Sequence, residues 1–184
     1  MISQQAKSGF EFLLVNALRA ALVSAPEDRI DVTLIDDARE MREESVVLLT
    51  VSSYLFRAVT FVSFTLDRQT KQHLAAINRA NPESMSLSDY LDVVREVGNI
   101  FCGTLNRDLS HYFPYIGMST PNVLERQCVD HLDELGASFI RHVHAVVNDA
   151  VHFHATLCVC DFADLDFRVD TTVQEENHGE LELF

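Results

Sequence analysis

The strongest constraint on the fold comes from two β-rich runs, residues 137–147 and 150–160, on either side of Asn148–Asp149. Apolar side chains recur at every second position over most of both runs. They are Phe139, Val143, Ala145 and Val147 in the first run and Val151, Phe153, Ala155, Leu157 and Val159 in the second. Both sets share one face only if residues of equal parity pair, such as Val147 with Val151, because a one-residue slip turns every side chain over. The pattern therefore predicts an antiparallel hairpin with a three-residue loop or a bulge at residues 148–150.

This register also predicts where the side chains of four histidines in the same two runs lie: His142, His144, His152 and His154. They line the other face of the hairpin, whereas a two-residue Asn-Asp turn would divide them between faces. Imidazole and thiolate are zinc ligands, and Cys158 and Cys160 lie further along, so a metal-binding sensor is one alternative. Their spacing is not diagnostic of any ligand set. We favour a polar sheet face or a pH-sensitive subunit interface, and predict no metal site.

The remaining elements predict an α+β fold. Ser86 followed by Asp89 resembles a capping box, and it opens a long helical pattern that reaches about residue 111. The other predicted elements are a helix at 9–24, a strand at 30–35, a hairpin of 46–52 and 56–66, a helix at 67–79 and a short strand at 115–119. This order predicts two layers, with helices packed on one face of a mainly antiparallel β-sheet.

Composition narrows the classes of function. The chain has 184 residues, 47% of them hydrophobic, which suits a single domain at residues 1–170 followed by an acidic, mobile tail at 171–184. The net charge of −14 repels phosphate backbones and anionic membranes, so we expect no nucleic-acid or membrane partner. No apolar run approaches the roughly 20 residues of a membrane span, and no signal-peptide pattern opens the chain. With four cysteines that fit no disulfide framework, we expect a cytoplasmic protein.

The long helix carries one polar stripe. At about 100° per residue, one side presents Asp92, Glu96, Asn99 and Gly103, and the opposite side presents Tyr90, Val94, Val97, Phe101 and Leu105. A solvated helix face is the ordinary explanation of such a stripe. Two glycines argue against it, because each costs up to about 1 kcal/mol relative to Ala inside a helix. We expect Gly98 to permit close packing against the sheet and Gly103 to leave access to Asn99.

The stretch from Asp92 to Gly103, DVVREVGNIFCG, resembles the signature of the CheC/CheX chemotaxis phosphatases. That signature is an Asp or Ser, three residues, a Glu, two residues, an Asn and, about twenty-two residues later, a Pro. Here 21 residues separate Asn99 from Pro121, and residues 118–123 resemble the strand and proline that follow the family helix. The chain has one ExxN motif, as in CheX-like members, because Leu14 occupies the Asn position after Glu11.

This resemblance implies a phosphatase that hydrolyses the aspartyl phosphate of a CheY-type response regulator in chemotaxis or two-component signalling. Glu96 and Asn99 would be catalytic: Glu96 would pair with a Lys of the regulator, and Asn99 would orient the attacking water. Asp92 and Gly103 would contact the partner. The chain would need no cofactor, because Mg²⁺ would be held by the regulator. Similarity to CheX also implies a homodimer. The alternative is a non-catalytic, dimeric interaction module on the same scaffold that binds a signalling partner.

Overall fold

The computed structural model describes residues 1–37, 41 and 43–170, so the predicted tail at residues 171–184 lies outside the described part of the chain. Three α-helices are present there: α1 (Gln4–Leu22), α2 (Arg68–Ile77) and α3 (Leu87–Leu109). Seven strands accompany them: β1 (Ile30–Ile35), β2 (Ser45–Ser52), β3 (Phe56–Phe64), β4 (Gly117–Met118), β5 (Asn122–Glu125), β6 (Phe139–Val147) and β7 (Val151–Asp161). A 3-10 segment, Arg126–Leu135, joins β5 to β6.

The strands form one sheet in the order β1-β6-β7-β3-β2-β4, and β5 also pairs with β2. Every pair of strands is antiparallel. Val147 pairs with Val151, which confirms the predicted register of the second hairpin. Asn148 and Asp149 adopt φ angles of 51° and 56°, and the Ala150 N–H donates to the Val147 carbonyl. A three-residue loop therefore keeps both apolar sets on the same face.

The main core lies between that face and the three α-helices, as the predicted α+β fold requires. Phe10 of α1 is fully buried, with its ring 5.8 Å from that of Phe56 and 5.0 Å from that of Phe167. The segment after β7 thus contributes to the core. It also holds the amino terminus, because the Leu165 N–H donates to the Met1 carbonyl and the Ser3 N–H donates to the Leu165 carbonyl.

The opposite face of the sheet is partly covered by the 3-10 segment. Its Val129 and Leu132 are buried in a second, smaller apolar cluster. The other buried members of that cluster are Met41, Val46, Val59, Phe61 and Cys158. The two-layer arrangement therefore describes the α-helices and the sheet, and the 3-10 segment adds a partial third layer that the sequence analysis did not predict.

The predicted boundaries differ most from the structure at α1 and β4. Helix α1 begins at Gln4 rather than near residue 9, because the Ser3 hydroxyl caps it by accepting a hydrogen bond from the Ala6 N–H at 3.1 Å. Strand β4 is shorter than the predicted run at 115–119, since Tyr115 adopts a φ of 56° and interrupts the extended chain. No helix in the described part of the chain combines the length and the apolar character needed to cross a membrane.

Candidate functional site

The start of α3 is fixed by the predicted capping box. The Ser86 hydroxyl accepts a hydrogen bond from the Asp89 N–H at 3.2 Å, and the Asp89 carboxylate accepts one from the Ser86 N–H at 2.9 Å. Both bonds satisfy backbone donors that an uncapped helix would leave open. The Ser86 bonds also lower the pKa of Asp89, because they favour its charged form.

Gly98 sets the position of α3 on the sheet. A Cβ atom built there would lie 2.7 Å from Val47 Cγ1 and 3.1 Å from Leu49 Cδ1, so the helix backbone contacts β2 directly. This contact confirms the expected close packing at Gly98. The four stripe positions lie about 100–160° around the helix from Gly98, and they therefore face away from β2.

The structure brings the predicted site residues together on this outward face of α3. Asp92 and Glu96 are exposed, and Asn99 is half-buried. The Asn99 amide nitrogen donates to Glu96 Oε2 at 3.3 Å, so the two side chains are direct neighbours. Asp92 accepts a hydrogen bond from Arg95 Nη1 at 2.6 Å. The Asp92 charge thus has a cation of the same helix beside it.

Gly103 is open rather than closely approached. The nearest atom to a Cβ built there is Met118 Sδ at 4.0 Å, which is ordinary van der Waals contact. Met118 belongs to β4, and its side chain is 39% exposed. We call Asp92, Glu96, Asn99, Gly103 and Met118 the α3 surface. It combines two carboxylates, one amide and one exposed thioether around a gap in the side-chain cover.

Two residues near this surface were not identified from the sequence. Met118 was included only as part of a strand, and its contact with Gly103 depends on how β4 pairs with β2. Tyr115, three residues earlier, is 89% exposed with a positive φ. A left-handed backbone is uncommon for a residue other than glycine. Pro121 lies between β4 and β5, both of which contact α3.

The predicted face of the four histidines is also confirmed. They line the side of the β6–β7 hairpin opposite the main core. His154 Nδ1 lies 2.5 Å from Glu43 Oε1, and His142 Nδ1 lies 2.8 Å from the Thr156 hydroxyl. Among the described residues, no group of three His, Cys, Asp or Glu side chains is arranged to hold a metal ion.

The cysteines add no reactive centre. All four are unpaired thiols, and burial raises the pKa of Cys102 and of Cys158 to about 12. Such thiols stay protonated at neutral pH, so they are poor nucleophiles. Cys102 follows Asn99 on α3 by three residues, but its side chain is buried in the core and does not reach the α3 surface.

Comparison with known proteins identifies the fold. No protein-family model matches the chain, and no curated protein sequence matches it significantly. Solved structures do match: the chemotaxis protein CheX from Desulfovibrio desulfuricans has a TM-score of 0.60 at 15% identity, over 83% of this chain and 99% of that one. CheX in a CheX–CheY–BeF3–Mg²⁺ complex from Borrelia burgdorferi has a TM-score of 0.58 at 15% identity, over 84% and 97% of the two chains.

A third neighbour, FliY from Thermotoga maritima, has a TM-score of 0.51 at 12% identity, over 85% of this chain and 91% of that one. The matches span nearly the whole of each neighbour. The chain therefore has the same fold as these CheX and FliY proteins, which is the fold that the resemblance of the α3 motif implied. At these identities the likeness defines the fold, and function has to be argued from the α3 surface.

Proposed function

We propose that this chain binds a phosphorylated CheY-type response regulator through the α3 surface and accelerates hydrolysis of its aspartyl phosphate. The observation that carries this proposal is the pair Glu96–Asn99, adjacent at 3.3 Å on the outward face of α3. The same two residues form the ExxN motif. A structural neighbour with this fold occurs in a complex with CheY. The motif, the exposure of its residues and the complex of this neighbour all support the proposal.

The chemistry requires little from the phosphatase itself. A water oxygen attacks phosphorus, the bond from phosphorus to the aspartyl oxygen breaks, and inorganic phosphate and the free carboxylate result. The aspartyl carboxylate is already a good leaving group. The main task is therefore to place the water in line with the bond from phosphorus to oxygen that breaks. Asn99 can do this because its amide both donates and accepts hydrogen bonds. Mg²⁺ on the regulator would neutralise the charge that develops on the phosphoryl oxygens.

Charge on the α3 surface supports separate roles for its two carboxylates. Arg95 already neutralises Asp92. No Lys or Arg in the described part of the chain forms an ion pair with Glu96. Glu96 is therefore available to a cation of the partner, and a Lys in the regulator's active site is the cation that the motif implies. Asp92 would support the helix face at the edge of the contact.

The test is phosphate release from a phosphorylated CheY-type regulator, with and without this chain. We expect acceleration by the wild type and by Glu134→Ala, a matched control on the 3-10 segment whose exposed carboxylate lies far from α3. Asn99→Ala should abolish the acceleration while binding to the beryllofluoride-activated regulator persists. Glu96→Ala should weaken binding and hydrolysis together.

The same assay distinguishes the phosphatase from the alternative, a module that binds the regulator without catalysis. Binding of the activated regulator without acceleration by the wild type would identify a non-catalytic interaction module. Absence of both binding and hydrolysis with a panel of regulators would contradict the proposal. The homodimer remains a prediction, and light scattering on the purified chain would test it.

A further inference from the structure

A second polar cluster lies on the sheet face opposite the three α-helices. We call His142, His144, His152 and His154 the histidine cluster. The His144 ring stacks between two others: its centroid lies 5.2 Å from that of His152, at an interplanar angle of 8°, and 4.5 Å from that of His154, at 17°. Strand pairing enforces this proximity, because His144 is directly opposite His154 and His142 is directly opposite Thr156.

The contact between His144 and His152 depends on protonation. His144 Nε2 lies 3.0 Å from His152 Nδ1, which is a hydrogen bond between two ring nitrogens. Such a bond needs one N–H donor and one unprotonated acceptor, and an imidazolium ring has two donors and no acceptor. When both rings carry a proton on every nitrogen, the bond is lost and two positive charges face each other. The stack therefore accommodates less charge than four independent histidines would.

Among the described residues, charged groups near the cluster lie on β1, just after β1, just before β2 and on β6 itself. Glu43 is buried, and its carboxylate oxygen lies 2.5 Å from His154 Nδ1. The His154 ring is stacked 4.5 Å from the His144 ring, so positive charges on both rings would repel each other. Asp37 acts on His142 from the end of β1, and Asp31 of β1 pairs with Val146, which lies opposite His152. Arg141 lies beside His142 along β6.

The surroundings of His142 also disfavour the protonated ring, as the stacked arrangement of the other rings does. Burial lowers the pKa of His142, Asp37 opposes this, and Arg141 adds to it. A histidine with a lowered folded-state pKa stabilises the fold above the unfolded value of about 6.5, and this stability is lost as the pH falls. The stacked pair His144–His152 also loses its hydrogen bond as the pH falls.

From this geometry we propose that the histidine cluster is a pH-sensitive device, in which added protons break the His144–His152 hydrogen bond and loosen the β1–β6–β7 side of the sheet as the pH falls toward 6. The proposal goes beyond the response-regulator function and does not depend on it, because the histidine cluster and the α3 surface lie on opposite faces of the sheet. Failure of one leaves the other untouched.

The test is denaturant unfolding of the full chain at pH 7.5, 6.5 and 5.5. Each histidine kept neutral in the folded state raises the unfolding equilibrium constant about 10-fold between pH 7.5 and 5.5, so two give about 100-fold. Ordinary carboxylates stay charged throughout this range and add little. The double variant His144→Gln/His152→Gln should lose the share of the stacked pair and keep that of His142, so about 10-fold should remain. His131→Gln, an exposed histidine on the 3-10 segment, should retain it.

A second measurement covers the case in which the double variant does not fold. Histidine ring resonances of the wild type, followed by NMR from pH 8 to 5, should show that the His144 and His152 rings respond to each other's protonation in at least two coupled steps. Amide exchange, corrected for intrinsic rates, should accelerate in β6 and β7 more than in β2 and β3. Unfolding that is independent of pH, or rings of His144 and His152 that respond independently of each other, would overturn the proposal.

Discussion

The two glycines inside α3 differ in what surrounds them, and the difference separates the side of this helix that packs on the sheet from the outward side that we propose as a partner surface. A Cβ at Gly98 would meet Val47 at 2.7 Å, whereas a Cβ at Gly103 would meet only Met118, at 4.0 Å. Both residues weaken the helix intrinsically. At Gly98 this cost is offset by close contact with β2. At Gly103 no packing in the described structure offsets it, which directs attention to a partner outside the chain.

The same contrast holds for the polar groups on the two faces of the sheet. Glu96 and Asn99 share one long hydrogen bond at an exposed position. Glu43 and His154 are buried and joined at 2.5 Å. Polar groups that are satisfied within the chain stabilise or regulate its fold, whereas exposed groups with spare capacity can serve a ligand. The α3 surface is of the second kind.

The largest expected effect that sharpens this contrast is on catalysis. Asn99→Ala should lower the accelerated rate of phosphate release by about 100- to 1,000-fold, the range seen when one positioned amide is removed from a reaction centre. The unfolding free energy should change by less than about 0.5 kcal/mol, because an outward-facing side chain is removed. Kinetics and denaturant unfolding on one preparation check both. A large loss of stability would instead place Asn99 on the side of the helix that packs on the sheet.

The second largest effect is expected from a substitution that overpacks the contact at Gly98. Gly98→Val should destabilise the chain by roughly 1–3 kcal/mol, because its side chain must displace Val47 or Leu49 from a close-packed contact. Denaturant unfolding at pH 7.5 measures this. Activity per folded molecule should be retained. An unchanged stability would show that α3 can move away from β2, and the close contact would then not position the helix.

Removal of the cap comes third. Ser86→Ala should cost about 1 kcal/mol, since it leaves the Asp89 N–H without an acceptor and releases the Asp89 carboxylate. The pKa of Asp89 is lowered by its Ser86 bonds, so this contribution is present above the unfolded value and is lost as acid protonates the carboxylate. Comparing wild type and Ser86→Ala at pH 7 and pH 3 checks the sign: the difference in stability should shrink in acid.

How much of the fold could be predicted from the sequence depends on how far apart along the chain the interacting residues lie. The capping box and the register of β6 and β7 could be predicted, because the first joins residues three apart and the second follows from a period of two. The bond between Glu43 and His154 joins residues 111 positions apart, so no local pattern could reveal it. The start of α1 was missed because residues 4–8 carry little apolar periodicity, and their anchors are Ser3 and the distant Leu165.

The candidate site divides in the same way. The stripe of Asp92, Glu96, Asn99 and Gly103 is a property of one helix, and its outward direction could be predicted from the apolar residues of the same helix. Met118 reaches the neighbourhood of that stripe through the pairing of β4 with β2. No periodic pattern within one helix or strand could reveal this contact. The site was therefore predictable where one helix builds it, and unpredictable where the sheet edge completes it.

The smallest expected effect is the most direct test of Gly103. Gly103→Ala should raise the unfolding free energy by up to about 1 kcal/mol, because the helix gains propensity and the new methyl group finds ordinary contact with Met118. If Gly103 faces the regulator, the same methyl group should weaken binding of the activated regulator, by less than about 10-fold, and leave the rate at saturation unchanged. Titration calorimetry beside denaturant unfolding separates the two quantities. Greater stability with unaltered binding would show that Gly103 does not contact the partner. The proposed roles of Glu96 and Asn99 would stand, since those two residues act through polar atoms and do not depend on a gap at Gly103.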